Sequence, residues 1–294
     1  MSIIQKFRDS AVEVYNEKSK SNCKDFAELQ SKLIKCTDVL CEDQYFGIVR
    51  IEKSIPSFCE WVIPPVFLKS KVINEREKEK LDLKNERQEN EKKIKKYIAD
   101  NFLKTIVIVL ESPHTDEFLK KNKERLAIGP ACGETGEHLY WWLPEVMLKY
   151  LPFLVDKVTK KVKYYSIKDI ESGVYVIKLV NAIQFQCSLG ENTEPSKKTK
   201  EKDKCYRDKV FAKMWDSAEV IESFIKRIKD ARPNIIINCC TRGNLGKKCG
   251  TLRDRVQKEL NAKSKNLSCL LLRAAHPSGP QFKNGLSWLG EDEK

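Results

Sequence analysis

Three histidines occur in the 294-residue chain, and two of them follow runs that read as buried strands. His276 opens the triplet His276-Pro277-Ser278, directly after an apolar run from Ser268 to Ala275. His114 closes Glu111-Ser112-Pro113-His114, directly after Thr105-Ile106-Val107-Ile108-Val109-Leu110. Imidazole changes charge near neutrality and can act as acid, base or hydrogen-bond donor. A strand ending in His-Pro-Ser would hold that ring rigidly at the carboxyl edge of a sheet, where open α/β sheets bind their ligands. Glu111, at the matching end of the other run, would add an anionic group to the same edge.

The elements that must position these residues are strands alternating with helices. Thr105–Leu110 and Val174–Val180 read as the first two strands. Asn234–Cys240 follows a helix over Lys209–Asp230, and Ser268–Ala275 comes last. Their Ile, Val and Leu runs do not alternate with polar residues, so each strand should be buried on both faces. The expected fold is a three-layer α/β domain over residues 105–294: a four-stranded parallel sheet flanked by helices. Each strand end carries a polar cluster: Asn181 with Gln184 and Gln186, then Thr241-Arg242-Gly243-Asn244, besides the two histidine loops. Between the first two strands, Gly129-Pro130-Ala131-Cys132-Gly133-Glu134-Thr135-Gly136 has glycines that permit close backbone approach to a ligand. The polar segment Glu191–Lys200 reads as a mobile loop.

Residues 1–104 read as a mainly helical N-terminal extension. Ile3, Ile4, Phe7, Ala11, Val14 and Tyr15 recur at helical spacing. Gly47–Ile51 suggests one short strand, and Pro56 with Pro64-Pro65 a loop. Asn74–Lys104 reads as a solvated helix laced with local Glu–Lys pairs.

Composition narrows the partner. The formal net charge is +13, which favours a polyanion, nucleic acid before an anionic membrane, although lysines also serve solubility alone. No apolar run approaches the ~20 residues of a membrane span, and Met1–Lys6 lacks a signal-peptide core. A cytoplasmic location is expected. The eleven cysteines are then expected as thiols. They form no C-x-x-C pair, so neither a metal nor another cofactor is expected.

In order and placement, residues 105–282 resemble the uracil-DNA glycosylase superfamily. Leu110-Glu111-Ser112-Pro113-His114-Thr115-Asp116-Glu117 is similar to the family's first strand-end motif, G-Q-D-P-Y or G-E-A-P-G-x-x-E, at the Glu, the Pro and the later Glu. Gly133-Glu134-Thr135-Gly136 resembles its glycine-rich helix start. Leu179-Val180-Asn181 resembles the L-L-N strand end of some branches, and His276-Pro277-Ser278 is the family's H-P-S unchanged. The resemblance implies extrusion of one nucleotide from DNA and hydrolysis of its N-glycosidic bond, in duplex or single strand. His276 would stabilise charge on the departing base, and Asn181 would read its edge. Backbone amides around Ser112, Pro113, His114 and Ser278 would hold flanking phosphates. Gln281 or Phe282 would fill the space the base leaves.

The departures from the family point to the substrate. Ser112 stands where one branch has the Asp that orients the attacking water, which leaves Glu111 as the anionic candidate. His114 replaces a Tyr that bars 5-substituted pyrimidines, and Ala131 or Cys132 replaces a stacking Phe. A wider pocket is implied, suited to a 5-modified pyrimidine such as the hydroxymethylated or glucosylated cytosine of some phage genomes. Antiviral glycosylases of that kind are known in the superfamily. No lysine lies in the matched motifs, so a Schiff-base lyase step is not implied. Blander readings stay open: His276 as a capped strand-end histidine, Glu111 as an exposed terminus, Asn181 as a turn former. On the apolar helix 138–143, His138 reads as structural, and Trp141 and Trp142 as core rather than base-stacking residues. A DNA-binding module that has lost its chemistry, and an enzyme of free nucleotides, are the competing functions.

Overall fold

The computed structural model describes residues 1–33, 35–52, 58–68, 76–121, 124–157, 171–189, 197–243, 251–264, 269–284 and 287–288. The chain opens with α1 (Ile3–Ser19) and α2 (Phe26–Lys32), each started by a side-chain cap, Ser2 and Asp25. Two strands follow, β1 (Gln44–Glu52) and β2 (Phe58–Ile63), then the long helix α3 (Arg76–Asp100). Next come β3 (Lys104–Leu110), a small hairpin of β4 (Phe118–Lys121) and β5 (Glu124–Ala127), and α4 (Glu134–Lys157). The remainder is β6 (Gly173–Asn181), α5 (Lys197–Trp215), α6 (Ala218–Asp230), β7 (Ile235–Asn238), α7 (Leu252–Ser264), β8 (Leu270–Arg273) and β9 (Ser287–Trp288).

A mixed sheet runs through the molecule in the order β2-β1-β6-β3-β7-β8-β9. The expected parallel quartet is its centre, β6-β3-β7-β8. The expected total of four strands needs correction: antiparallel β2 and β1 extend one side and antiparallel β9 the other, seven strands among the described residues. Segment 1–104 contributes both helices and strands, and it packs into the same fold. β1 pairs with β6 from Gln44 to Ile51. Phe7, Ala11 and Val14 of α1 share a buried cluster with Val107 and Val109 of β3 and with Val210 and Phe211 of α5.

Helices cover both faces. Odd-numbered β3 residues Val107 and Val109 face the α1/α5 layer, while Ile106, Ile108 and Leu110 face Leu139, Leu143 and Met147 of α4. The single helix expected over Lys209–Asp230 is two, broken at Asp216-Ser217. Of the expected mobile loop, Glu191–Ser196 lies outside the described residues, and Lys197–Lys200 begins α5.

The topology locates a crevice before any side chain is considered. β3 lies in the middle; the chain moves to β6 on one side, then crosses to β7 and β8 on the other. Where strand order reverses, the loops after the carboxyl ends part and leave a crevice. The loops after β3, β7 and β8 carry Glu111–His114, Thr241 and His276–Ser278.

Candidate active site at the carboxyl ends of the strands

A cleft of about 240 Å³ occupies that crevice. From the loop after β3 it is lined by Glu111, Ser112, Pro113 and His114, and from the loop after β8 by His276 and Ser278. The start of α4 adds Gly133, Glu134 and Thr135. Eight of the twelve residues singled out from the sequence therefore meet in one place.

Glu111 is the buried charge of the site, 5 % exposed, which removes the reading of an exposed strand end. It follows Val107 and Val109 in strand alternation, so it points to the α5 side of the sheet. There the Arg207 guanidinium donates to Oε1 at 3.0 Å, and the Thr241 backbone N–H donates to Oε2 at 2.9 Å. Arg207 is itself held by Asp208, whose Oδ1 accepts from Nε at 2.9 Å and from Nη2 at 2.8 Å. Burial pushes the Glu111 carboxyl up, but Arg207, His276 and Thr241 together outweigh it and hold the group below the usual carboxylate range. Glu111 is ionised at neutral pH. Gly243, at φ +67°, lets the loop after β7 turn beside this network: a Cβ there would lie 2.6 Å from Leu252 and 3.2 Å from Asp208.

His276 is half-buried, and its protonation is fixed by its own loop. The Ser278 backbone N–H donates to Nδ1 at 3.2 Å, with the Ser278 hydroxyl 2.8 Å from the same nitrogen. A backbone N–H can only donate, so Nδ1 is an acceptor and the ring proton sits on Nε2. Burial lowers the imidazole pKa below its ordinary value, with Arg207, Arg253 and His114 adding to the effect and Glu111 opposing it. The cleft thus holds a neutral N–H donor together with an anionic carboxylate. The loop is braced from α4, where His138 donates from Nδ1 to the Pro277 carbonyl at 2.8 Å and stacks on Trp142 at 3.9 Å.

Ser112 lines the cleft with its hydroxyl enclosed beside the Cys187 thiol. The His114 side chain lines the cleft but is 60 % exposed.

Five residues depart from expectation. Asn181 is buried but does not line the cleft. It pairs in register with Leu110, so it takes the α4 side of the sheet while Glu111 takes the other. Its amide lies against the Cys41 thiol, and its backbone oxygen accepts from Arg227, which also clamps Asp43. Phe282 is fully buried with Leu139, Leu143 and Leu272. It sits in a 3-10 turn over Pro280–Asn284 packed on α4 and has no exposed ring to offer a base stack. Gln281, exposed on the same turn, is outside the cleft lining, as is Gly136. Gly136 is needed for packing: a Cβ there would lie 2.0 Å from the Ala131 carbonyl oxygen. Trp141, expected in the core, is 58 % exposed, whereas Trp142 is partly buried beneath Lys283, whose ammonium lies 4.3 Å from the ring centre.

Two contributors escaped the sequence, Arg207 and Ser188; Glu117, read there only as part of a motif, lies buried in the cleft wall. A signal for Arg207 existed. It precedes Val210, Phe211 and Met214 by three, four and seven residues, which puts it on the buried face of α5, and it is the one arginine among the lysines of 197–209. Among the described residues, no group of three or more His, Cys, Asp or Glu is placed to hold a metal ion, and no helix is long and apolar enough to cross a membrane. No family model, no curated protein and no solved structure matches the chain.

Proposed function

We propose that the protein is a monofunctional DNA glycosylase that releases one pyrimidine base from DNA by hydrolysis of its N-glycosidic bond. The observation that carries this reading is the pairing, in one strand-end cleft, of an ionised Glu111 with a neutral His276 whose Nε2 keeps its proton. As the bond from C1′ to the base nitrogen lengthens, the sugar gains positive and the base negative charge. Nε2–H is a donor for the base carbonyl oxygen on which that negative charge collects, and it carries no cation to be desolvated beforehand. The Glu111 carboxylate stabilises the sugar cation and orients the water that adds to C1′. The water's proton leaves through Glu111 and solvent, and the base departs as an anion that is then protonated. Held down by Arg207, Glu111 is a weak base, so its contribution is mainly electrostatic, with the Ser112 hydroxyl helping to fix the water.

The volume supports a base rather than a nucleotide, since about 240 Å³ falls below the ~300–1,000 Å³ of pockets that enclose drug-sized ligands. An exposed His114 in place of a bulky barrier favours a 5-modified pyrimidine such as hydroxymethylated cytosine; a glucosylated cytosine, about as large as a nucleotide, would have to hold its sugar outside the cleft. The net charge of +13 suits a polyanionic substrate. Ser112, lacking the acid of related motifs, favours the competing reading of a DNA-binding module without chemistry.

Duplex and single-stranded oligonucleotides carrying uracil, mismatched thymine, 5-hydroxymethylcytosine or its glucosylated form, followed by alkali, separate the two. Strand breaks at one of these bases, reduced about 10²–10³-fold by His276→Ala, are expected. Binding without breaks on any strand refutes the enzyme reading in favour of the module.

A further inference from the structure

Glu117 is a second carboxyl in the cleft wall, and the excision chemistry above makes no use of it. It ends the 3-10 turn Thr115–Glu117 and is 8 % exposed. Its Oε1 accepts the Ala131 backbone N–H at 2.7 Å, a bond aimed by the left-handed backbone of Ala131 at φ +53°. Its Oε2 is enclosed without a hydrogen-bond partner, in a residue that lines the cleft. A bare buried carboxylate oxygen is expensive; a carboxylic acid is less so, because its O–H can be satisfied by an acceptor that enters the cleft.

Its neighbours come from several elements. Arg87 of α3 faces it; its Nη2 donates to the Pro130 carbonyl at 2.8 Å, while its Nη1 is enclosed without a hydrogen-bond partner. The His114 imidazole and backbone N–H approach from the loop after β3, and the Cys132 and Cys41 thiols stand nearby. Farther out, Asp116 meets Lys80 at 4.0 Å. Burial dominates this set: it pushes the Glu117 carboxyl up to about 7 against the pull of Ala131, His114 and Arg87. Glu111, by contrast, is driven down, and two carboxyls driven apart divide acceptor and donor roles between them.

We propose that Glu117 stands in the cleft as a carboxylic acid and donates a hydrogen bond from Oε2 to an acceptor on the bound base, a carbonyl oxygen or ring nitrogen, so that the cleft selects bases presenting an acceptor there. The proposal rests on the reading of the cleft as a base pocket. It makes base recognition fade as pH rises, because the ionised form loses its donor.

The test uses single-stranded oligonucleotides carrying one 2′-fluoroarabino nucleotide, whose fluorine disfavours the sugar cation and blocks release. The base is uracil, thymine, 5-hydroxymethylcytosine or its glucosylated form, and a strand with an abasic analogue is the reference. Fluorescence anisotropy at about pH 6 and about pH 8.5 reads the preference for each base. Wild type should lose up to about thirtyfold of its preference across that range, the change in protonated fraction of a group titrating at about 7. Glu117→Gln keeps the acceptor for Ala131 and places an N–H at the Oε2 position, so its preference should be independent of pH. Glu117→Ala should lose the preference at both values. A wild-type preference indifferent to pH, or one unchanged in Glu117→Ala, overturns the donor. Preference for no base at all overturns both this proposal and the excision reading. A Glu117-dependent preference without base release from natural strands overturns the excision reading alone.

Discussion

Replacing Arg207 with leucine should expose how much of the site is an electrostatic construction. The substitution leaves the Glu111 carboxylate enclosed, with the Thr241 N–H as its remaining close donor. Removing one member of a buried ion pair costs ~3–5 kcal/mol. Arg207 keeps about a fifth of its side chain in water, and the Thr241 bond survives, so about 2–3 kcal/mol is the expected loss. In a chain of 294 residues that corresponds to a melting temperature about 3–5 °C lower. The pH dependence carries the sharper test. In wild type the folded Glu111 lies below its unfolded value of 4.5, so its contribution to stability is present above that pH and is lost as pH falls through the folded value. Without Arg207, burial dominates and the folded group rises above 4.5; the variant is then penalised progressively as pH climbs past 4.5 toward neutrality. The gap between the two melting curves, followed by calorimetry from about pH 4.5 to about pH 8, should therefore widen. Adding Glu111→Gln to Arg207→Leu should recover most of the loss, because it removes the stranded charge. A gap constant across pH, or a double variant no more stable than the single one, would show that Arg207 does not hold Glu111 in its charged form.

Other consequences are separable from this one. The His276 ring, followed by NMR, should titrate below 6.5; with a lowered folded value its burial stabilises only the neutral form, so its effect on stability worsens as pH drops below that point. A midpoint above 6.5 contradicts the neutral-donor assignment. Phe282→Ala should cost about 3–5 kcal/mol in urea unfolding, whereas a group that wedged into DNA would weaken DNA binding and leave stability alone. Affinity for DNA should fall linearly in a log–log plot against salt, by about 0.7–0.9 per phosphate contacted; a flat plot would remove the polyanion from the account.

The strand ends were legible because an unbroken Ile/Val/Leu run ending in Glu-Ser-Pro-His or His-Pro-Ser marks both a buried strand and its polar terminus. What strand alternation does beyond that terminus was not. Asn181 and Glu111 both close strands, yet the parallel register places them on opposite faces of the sheet, and register is a property of two segments, not one. Phe282 misled for a similar reason: a Gly-Pro-rich stretch after a strand gives no sign that its aromatic ring turns back into the α4 layer. The strand at Gly47–Ile51 was visible, but nothing local names β6 as its partner, so the N-terminal segment read as an extension rather than part of the sheet. Arg207 lies about a hundred residues from the carboxylate it holds, on a helix whose lysine-rich start hides its buried face.

Mass spectrometry of the low-mass fraction released from DNA decides whether the protein excises a base. Wild-type protein, incubated with strands containing each candidate pyrimidine, should liberate one free base and leave an abasic site of matching mass in the strand, and His276→Ala should suppress both. Strands that are bound but keep every base intact, with no free base in solution, would contradict excision.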